Sequence, residues 1–192
     1  MGKVFDGIDP KLERWITGQQ LFFVATAPSG SDGHVNCSPK GPIESLRVLG
    51  PRRVAYLDLV GSGAETIAHL RQNGRIVIML CAFRGPPRIV RLHGRGRCVL
   101  RGDPEFDDLT AAFEIRDAYT TGPAQRSIVV VDVERIADSC GYGVPLMEPA
   151  GDRPQRALWV ERKLAQGGVA AIADYRAEHN ARSIDDLPAL EA

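Results

Sequence analysis

The sequence predicts a mostly antiparallel β-barrel with peripheral helices, in the mainly β or α+β class. Short apolar runs rich in β-branched residues, each bounded by Gly, Pro or Ser, recur as far as Cys140 and are typical of buried strands. Helical periodicity interrupts these runs in only a few places and is concentrated after residue 146. This distribution indicates a β-structured body with a helical C-terminal tail.

About seven strands are expected from these runs. Four are apolar or β-branched stretches, two are shorter extended segments, and one alternates. The six candidates without alternation are Leu21 to Ala27, His34 to Ser38, Ser45 to Leu49, Val54 to Val60, Arg75 to Phe83 and Ser127 to Ile136.

The remaining strand, Arg88 to Arg101, alternates between apolar and basic residues, which indicates one buried face and one wet face. The expected buried face carries Val90, Leu92, Cys98 and Leu100. The expected wet face carries Arg91, His93, Arg95, Arg97 and Arg101. Such an arginine face suits either a phosphate or nucleic-acid surface, or an exposed strand paired with acidic neighbours. The balance of 24 basic and 24 acidic residues favours the second alternative.

Helical patterns lie at four places in the chain. The clearest is Asp103 to Tyr119, where Asp103 can act as the N-cap and a proline follows it in the first turn. A shorter one, Ala64 to Asn73, ends at a glycine, which is a common left-handed stop. The last two form the tail and are split by a Gly-Gly pair: Ala157 to Gln166 and Val169 to Asn180.

Composition limits the function classes. With 192 residues, 44% of them hydrophobic, the chain can bury one sizeable core. A formal net charge of zero argues against a protein that coats nucleic acid or an anionic membrane. No apolar stretch approaches the ~18 residues that a membrane helix needs, and the first residues do not resemble a secretion signal. We therefore expect a cytoplasmic protein with neither nucleic acid nor a membrane as partner.

The cysteines and histidines do not form a recognisable metal site. Cys37, Cys81, Cys98 and Cys140 are far apart and are expected to be buried thiols. His34, His69, His93 and His179 also lack ligand spacing, so no metal is predicted. A single histidine could still serve as an axial ligand of haem. Hydrolase and nucleotidase functions are disfavoured, because the chain has neither a Gly-x-Ser-x-Gly elbow nor a Gly-Lys-Thr phosphate loop.

Two segments carry candidate binding residues. The glycine-rich stretch from Val60 to Thr66 joins a strand to a helix, where backbone N–H groups can hold a phosphate. The alternative is a capping box between Ser62 and Glu65, which satisfies the helix end by itself. The other segment places Asn36, Ser38 and Lys40 on one face of an extended strand. That face suits an anion or a heteroaromatic ring, although a solvated edge strand has the same pattern.

Taken together, the ordered segments resemble the pyridoxamine 5'-phosphate oxidase-like family of FMN-binding split β-barrels. The resemblance spans nearly the whole chain and is to a bacterial branch of that family rather than to the true oxidase. The segments that carry it are Val35 to Gly41, Ala55 to Asp58, Gly61 to Thr66, Asn73 to Met79, Arg88 to Gly94, Ser139 to Pro145 and Asn180 to Pro188.

The resemblance implies a Greek-key split barrel over residues 1–145, with residues 146–192 as a helical extension packed on the same domain. It also implies a homodimer that holds FMN in clefts between the subunits. Ser38 and Lys40 would face Ser62, Gly63 and Thr66 across the phosphate. Asn36 would lie nearer the ribityl chain or ring, with the Leu57 and Asp58 backbone along the isoalloxazine edge. Tyr142 would cover the ring from the partner chain.

The sequence departs from the true oxidases in two respects. It lacks their arginine-rich phosphate run after the Tyr56 strand, and the helical tail replaces their substrate-binding C-terminal segment. Vitamin B6 oxidation is therefore not expected, and no catalytic residue is identified, since flavin carries the redox chemistry in such proteins. The first hypothesis is an FMN-dependent oxidoreductase with a small-molecule electron donor or acceptor. The alternatives are a non-catalytic flavin or haem carrier or sensor, an F420-dependent reductase, and a dimer with an empty cleft.

Overall fold

A single antiparallel sheet of eight strands organises the computed structural model, which describes residues 2–113 and 122–190. The strands are β1 (Val4–Phe5), β2 (Phe22–Thr26), β3 (Asn36–Lys40), β4 (Leu46–Gly50), β5 (Arg53–Leu59), β6 (Arg75–Cys81), β7 (Ile89–Leu100) and β8 (Gln125–Ser139). They follow the order β3-β2-β6-β7-β8-β5-β4 in the sheet, and β1 pairs with the far part of β8.

The structure confirms the predicted fold class and each of the predicted strands. Every pair in the sheet is antiparallel, and the helices lie outside it. The sequence analysis missed β1, because a pair of residues is too short to show a period. β8 is also longer than predicted, and its additional first residues bear on the candidate site.

One face of the sheet forms the main core, which is lined by residues such as Phe22, Tyr56 and Leu92. β7 alternates as predicted from Val90 to Cys98, but the predicted wet face ends at Arg97. Val99 lies on the same side as the arginines and is nevertheless buried. Phe106 and Phe113 cover that side of the sheet and form a second core with Val99.

A β-bulge between β7 and β8 changes which side chains face the core. His93 lies opposite Arg135, and Gly94 lies opposite Val133, so Glu134 is the additional residue. The backbones approach so closely there that a Cβ atom on Gly94 would lie 2.1 Å from the carbonyl oxygen of Asp132. Glycine is therefore required at residue 94 for steric reasons.

The arginine face of β7 is paired with protein groups. Arg95 lies 3.5 Å from Glu134, and Arg97 forms a two-point contact with Glu105. Arg91 donates to the Ser139 hydroxyl at 3.0 Å. These contacts agree with the alternative of an exposed strand with acidic neighbours.

The helices are α1 (Pro10–Thr17), α2 (Glu65–Asn73), α3 (Phe106–Thr110) and α4 (Gln155–His179). α2 ends as predicted at Gly74, which has a φ of 68°. The backbone of α4 is non-helical at Gly167 and Gly168, as the Gly-Gly pair predicted. α3 ends at Thr110 rather than at Tyr119, and residues 114–119 of the predicted helix lie outside the described residues.

The sequence analysis missed α1, although its N-terminus carries recognisable signals. Asp9 is the N-cap, and its carboxylate accepts a hydrogen bond from the Leu12 N–H at 2.7 Å. Pro10 follows it at the first helical position, where proline is favoured. α1 buries Leu12 and Ile16 against the main core.

The C-terminal segment packs on the sheet and on α2. α4 buries Val160 and Ile172 together with Val60 and Ala124. After α4, the chain returns across α2, where Ala189 packs in a small apolar cluster with the helix. The division into residues 1–145 and 146–192 stays a prediction. Among the described helices, none is both long and apolar enough to cross a membrane.

The expectation of four buried thiols is wrong for two of them: Cys37 and Cys140 are exposed. Cys37 lies on edge strand β3 with its side chain on the outer face, and Cys140 directly follows the end of β8. Cys81 is buried, and Cys98 packs partly buried against the core. Burial raises the pKa of the Cys98 thiol to about 12, with Asp58 adding to the shift.

We expect a thiol-reactive disulfide reagent at pH 8 to modify two cysteines quickly in the folded protein and all four in denaturant. The buried thiols react slowly because access is blocked and burial opposes formation of the thiolate. Absorbance of the released chromophore counts the modified thiols. In the Cys37→Ser variant, one thiol fewer should react in the fast phase. If all four thiols of the wild-type chain reacted in the fast phase, the described packing would be contradicted.

Candidate functional site

A buried ion-pair network joins β3, β5 and β8. Asp58 accepts hydrogen bonds from Lys40 Nζ at 3.2 Å and from Arg126 Nε at 2.8 Å. The Ser127 hydroxyl donates to the same carboxylate oxygen as Arg126, at 3.2 Å. The Arg126 side chain is only 3% exposed, whereas that of Lys40 is 23% exposed. Lys40 is therefore the cation of this network that a ligand can reach.

A register shift explains how two successive residues of β8 reach one carboxylate. Asp58 lies opposite Ser127, and the next residue, Leu59, lies opposite Gln125. Arg126 is thus the additional residue of a β-bulge. In a regular strand, Arg126 and Ser127 would point to opposite faces of the sheet. A bulge redirects side chains in this way, and bulges are frequent next to functional sites.

The charge state of Asp58 follows from its neighbours. Burial by itself raises the pKa of this carboxyl group, but Arg126 and then Lys40 more than offset that effect. The pKa of Asp58 is therefore held well below its ordinary value, and the group is ionised at neutral pH. Two cations and one carboxylate leave the network with a single net positive charge.

A second group of polar side chains lies beside this network. Asn36 donates from Nδ2 to the hydroxyls of Thr26 and Thr66, at 3.2 and 3.1 Å. The Ser38 hydroxyl donates to Asn36 Oδ1 at 2.7 Å. Asn36, Ser38 and Lys40 alternate along β3 and are all partly buried, as the sequence pattern predicted. The Thr66 hydroxyl brings the first turn of α2 to the same place.

The loop before α2 is held from two sides. Arg126 Nη1 donates to the Gly63 carbonyl at 2.7 Å, and Asn180 Nδ2 donates to the Gly61 carbonyl at 2.9 Å. The predicted capping box is wrong, because α2 begins at Glu65 and Ala64 is its N-cap. An alanine side chain cannot accept a hydrogen bond, so the first N–H groups of α2 receive no side-chain cap.

We name the network of Lys40, Asp58, Arg126 and Ser127, with the Gly61–Ala64 loop and the Asn36, Ser38 and Thr66 side chains, the polar cradle. Its hydrogen bonds involve six of the nine predicted site residues: Asn36, Ser38, Lys40, Asp58, Gly63 and Thr66. Its chemistry suits an anion, because an accessible ammonium group and uncapped helix N–H groups lie near several hydroxyls. The contact of these residues with a flavin stays a prediction.

The other three predicted residues lie apart from these contacts. Leu57 points to the opposite side of β5 from Asp58 and is buried in the second core. The Ser62 side chain is exposed and makes no hydrogen bond to the described residues. Tyr142 is 80% exposed in the loop after β8. The predicted roles of the Leu57 backbone, Ser62 and Tyr142 require a ligand or a partner chain.

Sequence reasoning missed Arg126, which is the most deeply buried cation of the cradle. The predicted strand began at Ser127, directly after the polar pair of Gln125 and Arg126. The available signal was an arginine at the start of a long β-branched run. The pattern could not show that a bulge turns this arginine inward, because a register shift depends on the partner strand.

The histidines lie in different surroundings. His34 Nδ1 lies 2.6 Å from Asp185 and is exposed. His69 is fully buried and contacts the Thr26 hydroxyl through Nδ1 at 2.9 Å, and burial lowers its pKa. Burial also lowers the pKa of His93. Within residues 2–113 and 122–190, no three His, Cys, Asp or Glu side chains are grouped closely enough to hold a metal ion.

The Asp58→Asn substitution should destabilise the fold by about 3 to 5 kcal/mol at pH 7, because it leaves the buried Arg126 charge uncompensated. The folded-state pKa of Asp58 is depressed, so its contribution is complete above its unfolded-state pKa of about 4 and is lost as the pH falls further. Urea unfolding monitored by circular dichroism at pH 7 and at lower pH measures both effects.

The matched control for that experiment is Asp132→Asn, since Asp132 pairs with Arg53 on the surface. That exposed pair should contribute less than about 1 kcal/mol. Below pH 4, the free energy of unfolding should fall less steeply with pH in the Asp58→Asn variant than in the wild-type chain. Equal stability losses in the two variants would contradict the role given to the buried network.

Comparison with known proteins places this geometry in a family. The model of the family described as pyridoxamine 5'-phosphate oxidase matches residues 8–140. The pyridoxamine 5'-phosphate oxidase family protein ustO of Aspergillus flavus is 35% identical over 201 aligned residues, which cover 98% of this chain and 78% of that protein.

Two solved structures are similar to this chain at lower sequence identity. A HupZ variant from Group A Streptococcus has a TM-score of 0.50 and 20% identity, covering 69% of this chain and 99% of that one. An FMN-binding protein from Syntrophomonas wolfei has a TM-score of 0.49 and 18% identity, covering 66% of this chain and 82% of that one. The family match and the sequence relative agree with the split-barrel architecture: the chain belongs to the pyridoxamine 5'-phosphate oxidase family.

Proposed function

We propose that this chain is an FMN-binding flavoprotein and that the polar cradle holds the FMN phosphate. The observation that carries the proposal is the convergence of Lys40, Arg126 and the uncapped start of α2 around Asp58. Membership of the pyridoxamine 5'-phosphate oxidase family supports a flavin cofactor. The donors of the cradle fit a phosphate ester, because they combine positive charge with directional hydroxyl and amide donors.

The two cations have different roles in this proposal. Lys40 has the more accessible side chain of the two and binds the phosphate directly. Arg126 is too deeply buried for that contact, so it positions the cradle by holding both Asp58 and the Gly63 carbonyl. Ser38 and Thr66 lie next along β3 and α2, where their hydroxyls can face the phosphate, and Asn36 lies where it can orient the ribityl chain.

The bound FMN would supply hydride or electron transfer, and the protein would hold the ring and limit its contact with water. Asp58 is ionised and accepts hydrogen bonds from three side chains, so it is not a proton donor at neutral pH. We propose that the protein is an oxidoreductase that acts on a small electron donor or acceptor in the open part of the cleft.

A homodimer completes the proposed site. Val35 and Ile184 are 73% and 70% exposed and flank the contact between His34 and Asp185, close to Asn36 in sequence. Exposed apolar side chains beside a binding site favour a protein interface. A second exposed apolar group lies in the loop after β8, and it includes Tyr142 and Leu146. In the proposed dimer, Tyr142 of the partner subunit covers the flavin ring.

Substitution of Lys40 by alanine should weaken FMN binding at least about tenfold, because a charged hydrogen bond to the phosphate is lost. Binding of riboflavin, which has no phosphate, should change little. The Asp58 and Arg126 pair persists in the Lys40→Ala variant, so the fold should remain stable. Quenching of flavin fluorescence in titrations of the flavin-free protein measures both dissociation constants.

Lys11→Ala is the matched control, because Lys11 is an exposed lysine on α1. It should bind FMN and riboflavin like the wild-type chain. If Lys40→Ala weakened the binding of FMN and of riboflavin equally, Lys40 would act on the flavin ring rather than on the phosphate. Unchanged FMN binding by Lys40→Ala would refute the cradle as the phosphate site.

The purified protein should show a flavin absorbance double band and release FMN on denaturation, and chromatography of the released chromophore separates FMN from F420. A haem Soret band would instead support the carrier alternative, for which His34 has an exposed imidazole. The holoprotein should oxidise NADH or NADPH, or its flavin, once reduced, should be reoxidised by oxygen or a quinone. Absence of turnover with flavin retained would favour a non-catalytic carrier or sensor.

A further inference from the structure

A groove far from the polar cradle has the composition of a ligand site. Its volume is about 460 Å³, and it lies between α1 and the hairpin that joins β6 to β7. This volume is within the range of pockets that bind small molecules. Its lining includes Arg14, Trp15, Gln19, Arg84 and Arg88. The lining contains three guanidinium groups and no carboxylate, in a chain whose formal net charge is zero.

The wall of the groove is well supported. The Arg88 guanidinium lies 5.0 Å from the centre of the Trp15 ring and 5.4 Å from that of Phe5. Asp138 fixes the same guanidinium, with contacts of 3.0 and 3.1 Å. The planar groups of Trp15 and Arg88 are therefore held in place before any ligand arrives, which lowers the entropic cost of binding.

The rim of the groove carries cations that are available to a ligand. Arg14 is exposed on α1 and forms no ion pair with the described residues. Arg84 contacts only the largely exposed Glu148 among those residues, at 3.3 Å. A surface ion pair of this kind is weak, so an anionic ligand can replace it. Gln19 also lines the groove, and its Nε2 donates to the Trp15 carbonyl at 2.6 Å.

The groove and the polar cradle lie at opposite ends of the same strand pair. Leu100 of β7 pairs with Ser127, which belongs to the cradle, whereas Ile89 pairs with Ser139 next to the groove. The twelve residues of β7 separate the two ends by about 35 Å along the strand. Within one chain, the groove is therefore a second site and not part of the cradle.

We propose that this groove binds a small planar aromatic molecule that carries an anionic substituent, either a carboxylate or a phosphate. The ring would pack against the wall that Trp15 and Arg88 form. The anionic group would contact Arg14 and Arg84 at the rim. The site is independent of the proposed flavin function, since it shares no residue with the polar cradle.

Trp15 provides a direct readout. The chain has two tryptophans, so a Trp159→Phe background leaves Trp15 as the sole tryptophan. Titration of this holoprotein with AMP and with benzoate should change its tryptophan fluorescence in a saturable way. Adenosine and inorganic phosphate, which carry only the ring or only the charge, should bind at least about tenfold more weakly. If AMP binds more tightly than benzoate, the preferred anionic group is a phosphate. If benzoate binds more tightly, it is a carboxylate.

The test variant is Arg14→Gln with Arg84→Gln, which should weaken binding at least about tenfold and reduce its salt dependence. The matched control is Arg156→Gln with Arg162→Gln, which removes the same charge from the exposed surface of α4 and should bind normally. Thermal unfolding checks that both variants are folded. Equal affinity in both variants, phosphate binding as tight as AMP binding, or no saturable change at millimolar concentrations would each overturn the proposal.

Discussion

The ion pair between Asp58 and Arg126 is the interaction on which the rest of the candidate site depends. Two buried charges cost several kcal/mol each in lost hydration, and replacing such a pair with apolar residues is often neutral or stabilising. The pair is therefore poorly explained as a source of stability. Its geometry has a clearer consequence, because Arg126 holds the Gly63 carbonyl while Asp58 holds Lys40. One carboxylate thus fixes the positions of three structural elements.

The antiparallel ladder between β7 and β8 arranges the molecule around this pair. A bulge in this ladder leaves Glu134 without a partner residue on β7, and a bulge in the neighbouring ladder between β5 and β8 turns Arg126 toward Asp58. The ladder between β7 and β8 also separates the polar cradle from the arginine-lined groove. Asn180 then connects the end of α4 to the Gly61 carbonyl. The helical tail therefore supports the loop of the cradle as well as covering the sheet.

Much of the architecture could be predicted from local patterns. Apolar runs, two short extended segments and one alternating segment identified seven of the eight strands. Gly74 marked the end of α2 because few other residues adopt its positive φ. The alternation along β3 correctly placed Asn36, Ser38 and Lys40 on one face. The patterns failed where distant groups intervene. Val99 is buried by Phe106 and Phe113, and Ala64 rather than Ser62 is the N-cap of α2.

The sequence by itself determined the class of the fold, the family and the kinds of side chain that can bind a ligand. The fold class and the kinds of side chain follow from composition and from periods of a few residues, which need no knowledge of the partner strand. The family follows from the resemblance of whole ordered segments. Only the tertiary structure decided that Arg126 joins Asp58, that two cysteines are exposed, and that Trp15 and Arg88 form one wall. Each of these depends on strand register or on contacts between residues far apart in the chain, and local sequence patterns do not encode either directly.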